Sequence, residues 1–182
     1  MSTAHPIHGR LSPEQAVLLQ ERALAVAAPT GALSGAAAAE HIESFLLLQM
    51  ASERYGLPLS CVEEVIDITS RVNLPRAPQH VIGLTRVRGK VLALVDLRRF
   101  WHGRLHGYAD HDRAVIINVA DVTCGLVCSR TIGPLDLEPQ DREPPPDNLP
   151  PALKHCLSGM LHGSVLLLDP MALVQQPGFV VS

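Results

Sequence analysis

Residues 86–97 read Arg86-Val87-Arg88-Gly89-Lys90-Val91-Leu92-Ala93-Leu94-Val95-Asp96-Leu97. An aliphatic run of this length, opened by a glycine and closed by a carboxylate, predicts a strand over residues 88–96. Asp96 then stands where a helix cap is wanted and predicts a short helix over residues 97–101. Outward from this stretch the same grammar repeats. Short apolar pieces separated by Gly, Pro and polar turns predict further strands near 45–51, 54–60, 62–68, 113–120, 122–129, 131–137, 157–162 and 164–168. A second short helix is expected after Asp169-Pro170. The reading is a mainly β chain of many short strands.

The chain has 182 residues, enough for one domain with a core, and its 47% apolar content supplies that core. Charged residues make up 18%, so the chain as a whole is not of the disordered class. Aromatics are only 3%, which leaves the core to aliphatic side chains and argues against single-stranded nucleic acid held on stacking platforms. Fifteen basic against eighteen acidic residues give a net charge of −3, without the positive field that phosphate backbones or anionic membranes select. No apolar run reaches the length of a membrane span, and Glu14 and Glu21 interrupt the region where a signal peptide would need apolar continuity. A cytoplasmic protein without direct membrane insertion or nucleic-acid binding is expected. Four cysteines, Cys61, Cys124, Cys128 and Cys156, are expected to be reduced thiols there.

Before the strands lies a helical pattern. Ser12 can cap, Pro13 suits the first helical position and Gln15 completes a capping box. Ala16, Leu19, Ala23, Val26 and Ala27 share one face of a helix running to about Pro29. That face suits either its own domain or a groove on a partner. Residues 30–40 read as a linker, so the expected organisation is helix and linker over 1–43, domain over 44–176 and tail over 177–182. Residues 138–151 hold six prolines and predict an extended surface connection.

Signatures of phosphate-binding loops, nucleophile elbows and zinc proteases are missing from the sequence. Cys156 beside His155 does not make a catalytic pair, because neighbours in a strand point to opposite faces. Cys124 and Cys128 share parity with Val122 and Leu126, which lines them along one apolar face roughly 13 Å apart, too far for one zinc ion. His102, His106, Asp110 and His111 form a dense set of possible ligands without a known zinc spacing, and Gly103 and Gly107 favour a solvated loop. A metal- or thiol-dependent hydrolase using His102, His106, His111 or Cys156 is the enzymatic alternative. No cofactor and no metal is expected.

Charge gives the sharper signal. Arg86, Arg88 and Lys90 alternate with Val87, Gly89 and Val91, which on a single strand would set three cations on one face about 7 Å apart. A short acidic strand, Val62-Glu63-Glu64-Val65-Ile66-Asp67, carries the opposite sign beside apolar residues. Two patches of opposite sign suggest two partners.

The order of these features, Tyr55-Gly56-Leu57-Pro58-Leu59, then Val62-Glu63-Glu64-Val65, Pro75 and Pro78, Val81-Ile82-Gly83, Val87-Arg88-Gly89 and Val91 to Leu97, resembles the CheW family of chemotaxis coupling proteins. The similarity runs through residues 55–97 and continues more loosely through 114–128 and 157–174. It implies a CheW-like fold of two five-stranded SH3-like barrels around a common aliphatic core. It also implies a non-enzymatic adaptor that couples the cytoplasmic tips of methyl-accepting chemoreceptors to the regulatory domain of a CheA-type histidine kinase, within a higher-order signalling array.

By the same resemblance, Val62 and Glu64 face the kinase. Arg88 matches the family's receptor-facing arginine, and Gly83 matches the glycine that lets the chain approach before it, so Gly83, Arg86, Val87 and Arg88 form the expected receptor side. The chain departs from the family pattern at Arg86, where an asparagine is usual, at Ala93, where a proline is usual, and at Ser129, where an acidic residue is usual. The extra positive charge of Arg86 bears on which receptor is recognised. The alternative function is a CheW-like scaffold in a different motility or gene-regulatory chemosensory pathway.

Overall fold

The computed structural model describes residues 42–103 and 112–180. The expected N-terminal helix and linker, and His106, Asp110 and His111, lie outside the described residues. The strands are β1 (Glu43–Met50), β2 (Glu53–Pro58), β3 (Val62–Asp67), β4 (Val81–Val87), β5 (Lys90–Val95), β6 (Arg113–Val119), β7 (Val122–Cys128), β8 (Arg130–Leu137), β9 (Arg142–Glu143), β10 (Leu157–Leu161) and β11 (Val165–Leu168). Three short helices join them, α1 (Leu97–His102), α2 (Pro151–Lys154) and α3 (Pro170–Val174).

The strands form two sheets. One has six strands in the order β8-β1-β2-β11-β10-β9, the other five in the order β3-β6-β7-β5-β4. Most neighbours are antiparallel; β11 beside β2 and β5 beside β7 are parallel. The mainly β architecture is the expected one. The first sheet has six strands where five were expected, because the two-residue β9 pairs with Met160 and Leu161.

The period-2 alternation of the strands sorts their apolar residues into distinct cores. Leu46 and Leu48 of β1 point with Val115 and Ile117 of β6 into the shared central core, where Trp101 of α1 also packs. The alternate residues, Ala114 and Ile116, turn to a smaller cluster with Leu92 and Leu94. On the first sheet Phe45 turns likewise to Leu161, Val165 and Leu167. This explains why β1, β6 and β11 read as unbroken apolar runs: each is buried on both faces. The helices are fixed by their caps. Asp96 Oδ1 accepts from the backbone N–H of Arg98 and Arg99, and Asp169 Oδ1 from those of Met171 and Ala172.

Four expectations are corrected. Residues 86–91 are not one strand: β4 ends at Val87, Arg88 and Gly89 turn, and β5 begins at Lys90. Both turn residues have positive φ, 47° and 86°, the type I′ pattern that matches strand twist. An arginine in the first of those positions gives no turn signal in the sequence. The proline-rich stretch 138–151 is not merely extended, since it contains β9 and packs Leu149 against the central core before leading into α2. His155 and Cys156 follow α2 in a turn rather than lying within a strand. Phe179, placed by sequence in the tail, is buried in the central core.

Candidate partner-binding site

The five-stranded sheet begins at β3 and ends at β4, yet its two edges meet. Arg88, at the tip of the β4–β5 hairpin, places Nε 2.9 Å from Oε1 of Glu64 on β3. The sheet therefore curls until its first strand faces the hairpin of its last two. At the mouth of that curl a hollow of about 250 Å3 is lined by Glu63, Glu64, Val87, Arg88, Lys90 and Leu92, with Ile116 and Thr123 beneath. It is a small apolar floor rimmed by both signs of charge.

The side chains of the expected site have different standing. Arg88 is 79% exposed and Glu64 23%, so the arginine is presented and the carboxylate is half sheltered. Arg86 is exposed on β4 opposite Val91, and no ion pair engages it among the described residues. Val62 is half-buried against the central core. Val87 is buried in the sheet's own cluster, where it anchors the hairpin from below. Gly83 has φ 152°, and a Cβ there would meet Arg71 Cγ at 2.6 Å and the Val72 carbonyl oxygen at 2.7 Å. The chain that approaches it is thus residues 71–72, and Val72 exchanges backbone hydrogen bonds with Leu84 at 2.9 and 2.8 Å.

The structure brings Glu64 and Arg88 together and sets Arg86 and Gly83 farther back along β4. The two charged patches expected for two partners are adjacent and partly neutralise each other. Glu63 and Asp67 have their own partners, Asn118 and Arg113, both at 2.9 Å.

Apolar surface was the part that sequence reasoning missed. Val91 is 64% exposed and Val72 69%. With Leu84, Arg86, Ser70 and Thr85 they line a hollow of about 240 Å3 on the outer face of β4 and β5. A second, of about 310 Å3, continues from Leu84 along Val81, Ala93 and Val95. The signal was present in β5, where Val91 and Ala93 alternate with the core residues Leu92 and Leu94. It became readable only once β4 was known to cover one edge.

The thiols do not assemble a catalytic site. All four are free and buried. Cys156 Sγ donates to the Ala152 carbonyl oxygen at 3.3 Å, and His155, which is exposed, sets Nδ1 2.7 Å from the Pro151 carbonyl oxygen instead. Burial pushes the Cys61 and Cys128 thiols up to about 11 and Cys124 up to about 12, away from the thiolate form a nucleophile needs. Cys124 and Cys128 share the central core, as their parity predicts. No group of metal-ligating side chains occurs among the described residues, and no described helix is long and apolar enough to cross a membrane.

Comparison with known proteins decides the family. Residues 44–178 match the CheW-like domain. The chain belongs to the CheW-like family. Chemotaxis protein CheW of Treponema pallidum is 26% identical over 110 residues, which cover 57% of this chain and 65% of that protein. Protein FrzA of Myxococcus xanthus is 29% identical over 130 residues, 71% of this chain and 80% of FrzA. Protein PilI of Pseudomonas aeruginosa is 28% identical over 138 residues, 72% of this chain and 75% of PilI. This chain thus spans just under two thirds of the Treponema protein and more of the other two.

Among solved structures, the scaffolding protein TtCheW from Thermoanaerobacter tengcongensis superposes with a TM-score of 0.63 at 21% identity, over 75% of this chain and 94% of that one. The CheW-like domain accordingly includes Phe179's approach through Gly178, two residues beyond the boundary read from sequence. Apart from Glu43, the first residue of β1, it also includes the eleven strands of the described residues.

Proposed function

We propose that this chain is a non-enzymatic adaptor in chemotaxis-type signal transduction. It couples the cytoplasmic tips of methyl-accepting chemoreceptors to the regulatory domain of a CheA-type histidine kinase in the cytoplasm, as one member of a higher-order array. The observation that carries this reading is the meeting of Glu64 and Arg88 at the mouth of the curled sheet, beside an exposed apolar face. Such a surface combines orientation by charge with affinity by apolar burial, which is what recognition of another protein requires.

In this reading Val62 and Glu64 contact the kinase, while Arg86 and Arg88 contact the receptor. Gly83 and Val87 hold the hairpin in place from behind. The adaptor works by fixing two partners in one relation, so that receptor states with different contacts bias the kinase equilibrium. Weak pairwise contacts become a stable assembly by effective concentration when the unit repeats. Reconstitution tests this: with receptor tips and kinase present, adding the chain should make kinase autophosphorylation depend on receptor state. Kinase activity unaffected by the chain at saturating concentration would overturn the reading.

A second reading is favoured by the relatives themselves. FrzA and PilI are 29% and 28% identical over 71% and 72% of this chain, against 26% and 22% over 57% and 58% for two of the proteins named CheW. The same adaptor chemistry would then serve a CheW-like scaffold of a different motility or gene-regulatory pathway, with Arg86 selecting a different receptor.

A further inference from the structure

The larger apolar hollow on the outer face of β4 and β5 has one wall that comes from the far end of the chain. Leu74, Val81, Leu84, Ala93 and Val95 form its floor and near side, and Phe179 and Val180 close it. Phe179 is 3% exposed and Val180 48%, so the first is an anchor and the second is presented.

The anchor is built from aromatic rings. Phe179 stacks on His80 with centroids 6.4 Å apart and planes 14° apart, and meets Phe100 edge-on at 5.4 Å. His80 meets Phe100 in turn at 5.0 Å. The Phe179 carbonyl oxygen lies 3.4 Å from His80 Nε2, and its N–H donates to the Gln176 carbonyl oxygen at 3.1 Å. Gly178, with φ 81°, turns the chain so that Phe179 points inward. His80 is itself fixed, because its carbonyl oxygen accepts from the N–H of Asp96 at 2.8 Å. The chain has three phenylalanines, and two of them are spent on this one corner.

We propose that the segment Gly178-Phe179-Val180 is a binding wall for an apolar segment of the receptor partner that also carries a carboxylate. Phe179 is its positioning residue and Val180 its contact. The charge argument supplies the carboxylate. The two outer hollows share Leu84 and so form one apolar strip, and at its other end stands Arg86, exposed and without an ion pair among the described residues. A partner that laid apolar side chains along the strip and an acidic group over Arg86 would satisfy both. This inference rests on the proposed function, from which it takes the receptor as occupant.

The test titrates a chemoreceptor tip fragment, and separately a CheA-type regulatory domain, with the full chain and its variants. Val180→Asp should weaken receptor binding at least tenfold with the melt unchanged, and Arg86→Glu should do the same, because the partner's carboxylate lies over Arg86. Phe179→Ala should act in the same direction, and Phe179→Trp should restore binding. Affinity for the kinase domain should stay within twofold throughout. Wild-type binding to the receptor with Val180→Asp equal to it would overturn the wall while leaving the proposed function standing. Absence of receptor binding by the wild type would overturn the proposed function, and the wall with it.

Discussion

Arg88 Nε stands 2.9 Å from Glu64 Oε1, and this pair joins the two ends of a five-stranded sheet whose order places β3 and β4 farthest apart. Closure of the sheet is therefore visible at one ion pair on its rim. The pair itself adds little to stability, since an arginine that is 79% exposed interacts through high-dielectric solvent. The arginine also occupies a backbone conformation, φ 47°, that costs a side-chain-bearing residue roughly 1 kcal/mol. Neither backbone preference nor stability accounts for an arginine at that turn. Recognition does.

Substituting Arg88→Asn separates the two roles. Asparagine tolerates the left-handed region and fits the first position of a type I′ turn. The melting temperature should stay the same or rise by a degree or two, while titration with the receptor tip shows at least a tenfold loss. A fall in melting temperature of more than about 5 °C, on the order of 1 to 2 kcal/mol for a chain of this size, would make Arg88 structural.

Gly83 should behave in the opposite way. A methyl group there collides with the backbone of Val72 at 2.7 Å, and φ 152° strains any side-chain-bearing residue. Gly83→Ala should cost about 2 to 3 kcal/mol and release the Arg71–Val72 segment from Leu84, seen as lost amide protection at Val72 and Leu84. Loss of partner binding in this variant would follow from the displaced strand. Wild-type stability would show that the approach of residues 71–72 is easily relaxed.

What the sequence made legible divides along physical lines. Strands whose apolar residues alternate or run unbroken were readable from periodicity, and so were both capped helices, because Asp96 and Asp169 carry their own local signal. The β4–β5 hairpin was not, because its turn begins with an arginine held in the left-handed region by its surroundings and not by its own preference. The missing turn hid β4 and made three cations appear to share a strand. Contact between Glu64 and Arg88 was beyond reach for a different reason: it depends on how far a sheet curls, which no local pattern encodes. Phe179 was misplaced for a similar reason, since one aromatic residue after Pro177-Gly178 has no periodicity, and its partners His80 and Phe100 lie far off in sequence.

The buried thiols give a pH dependence with a definite sign. Below pH 9.0, the ordinary value for a thiol, each is protonated in the folded and unfolded chain alike. Above it the unfolded chain ionises first and binds fewer protons, so stability falls as pH rises, by about 1.4 kcal/mol per pH unit for each thiol still protonated in the fold. The fall should run to about 11 for Cys61 and Cys128 and to about 12 for Cys124. Burial also pushes Tyr55 up, which adds to the loss at the alkaline end. Urea titrations between pH 7 and 11 measure this, and Cys124→Ala should flatten the slope above pH 9. An unchanged slope in that variant would refute the assignment.

The central claim is the proposal that the face holding Val62 and Glu64 binds a CheA-type kinase. Its most direct test is a calorimetric titration of the chain with the regulatory domain of such a kinase, wild type beside Glu64→Arg, with the melt of each recorded. The account predicts saturable binding by the wild type and at least a tenfold loss in the variant, with melting temperatures that agree to within a few degrees. Equal binding by both, or no binding by the wild type, would contradict it.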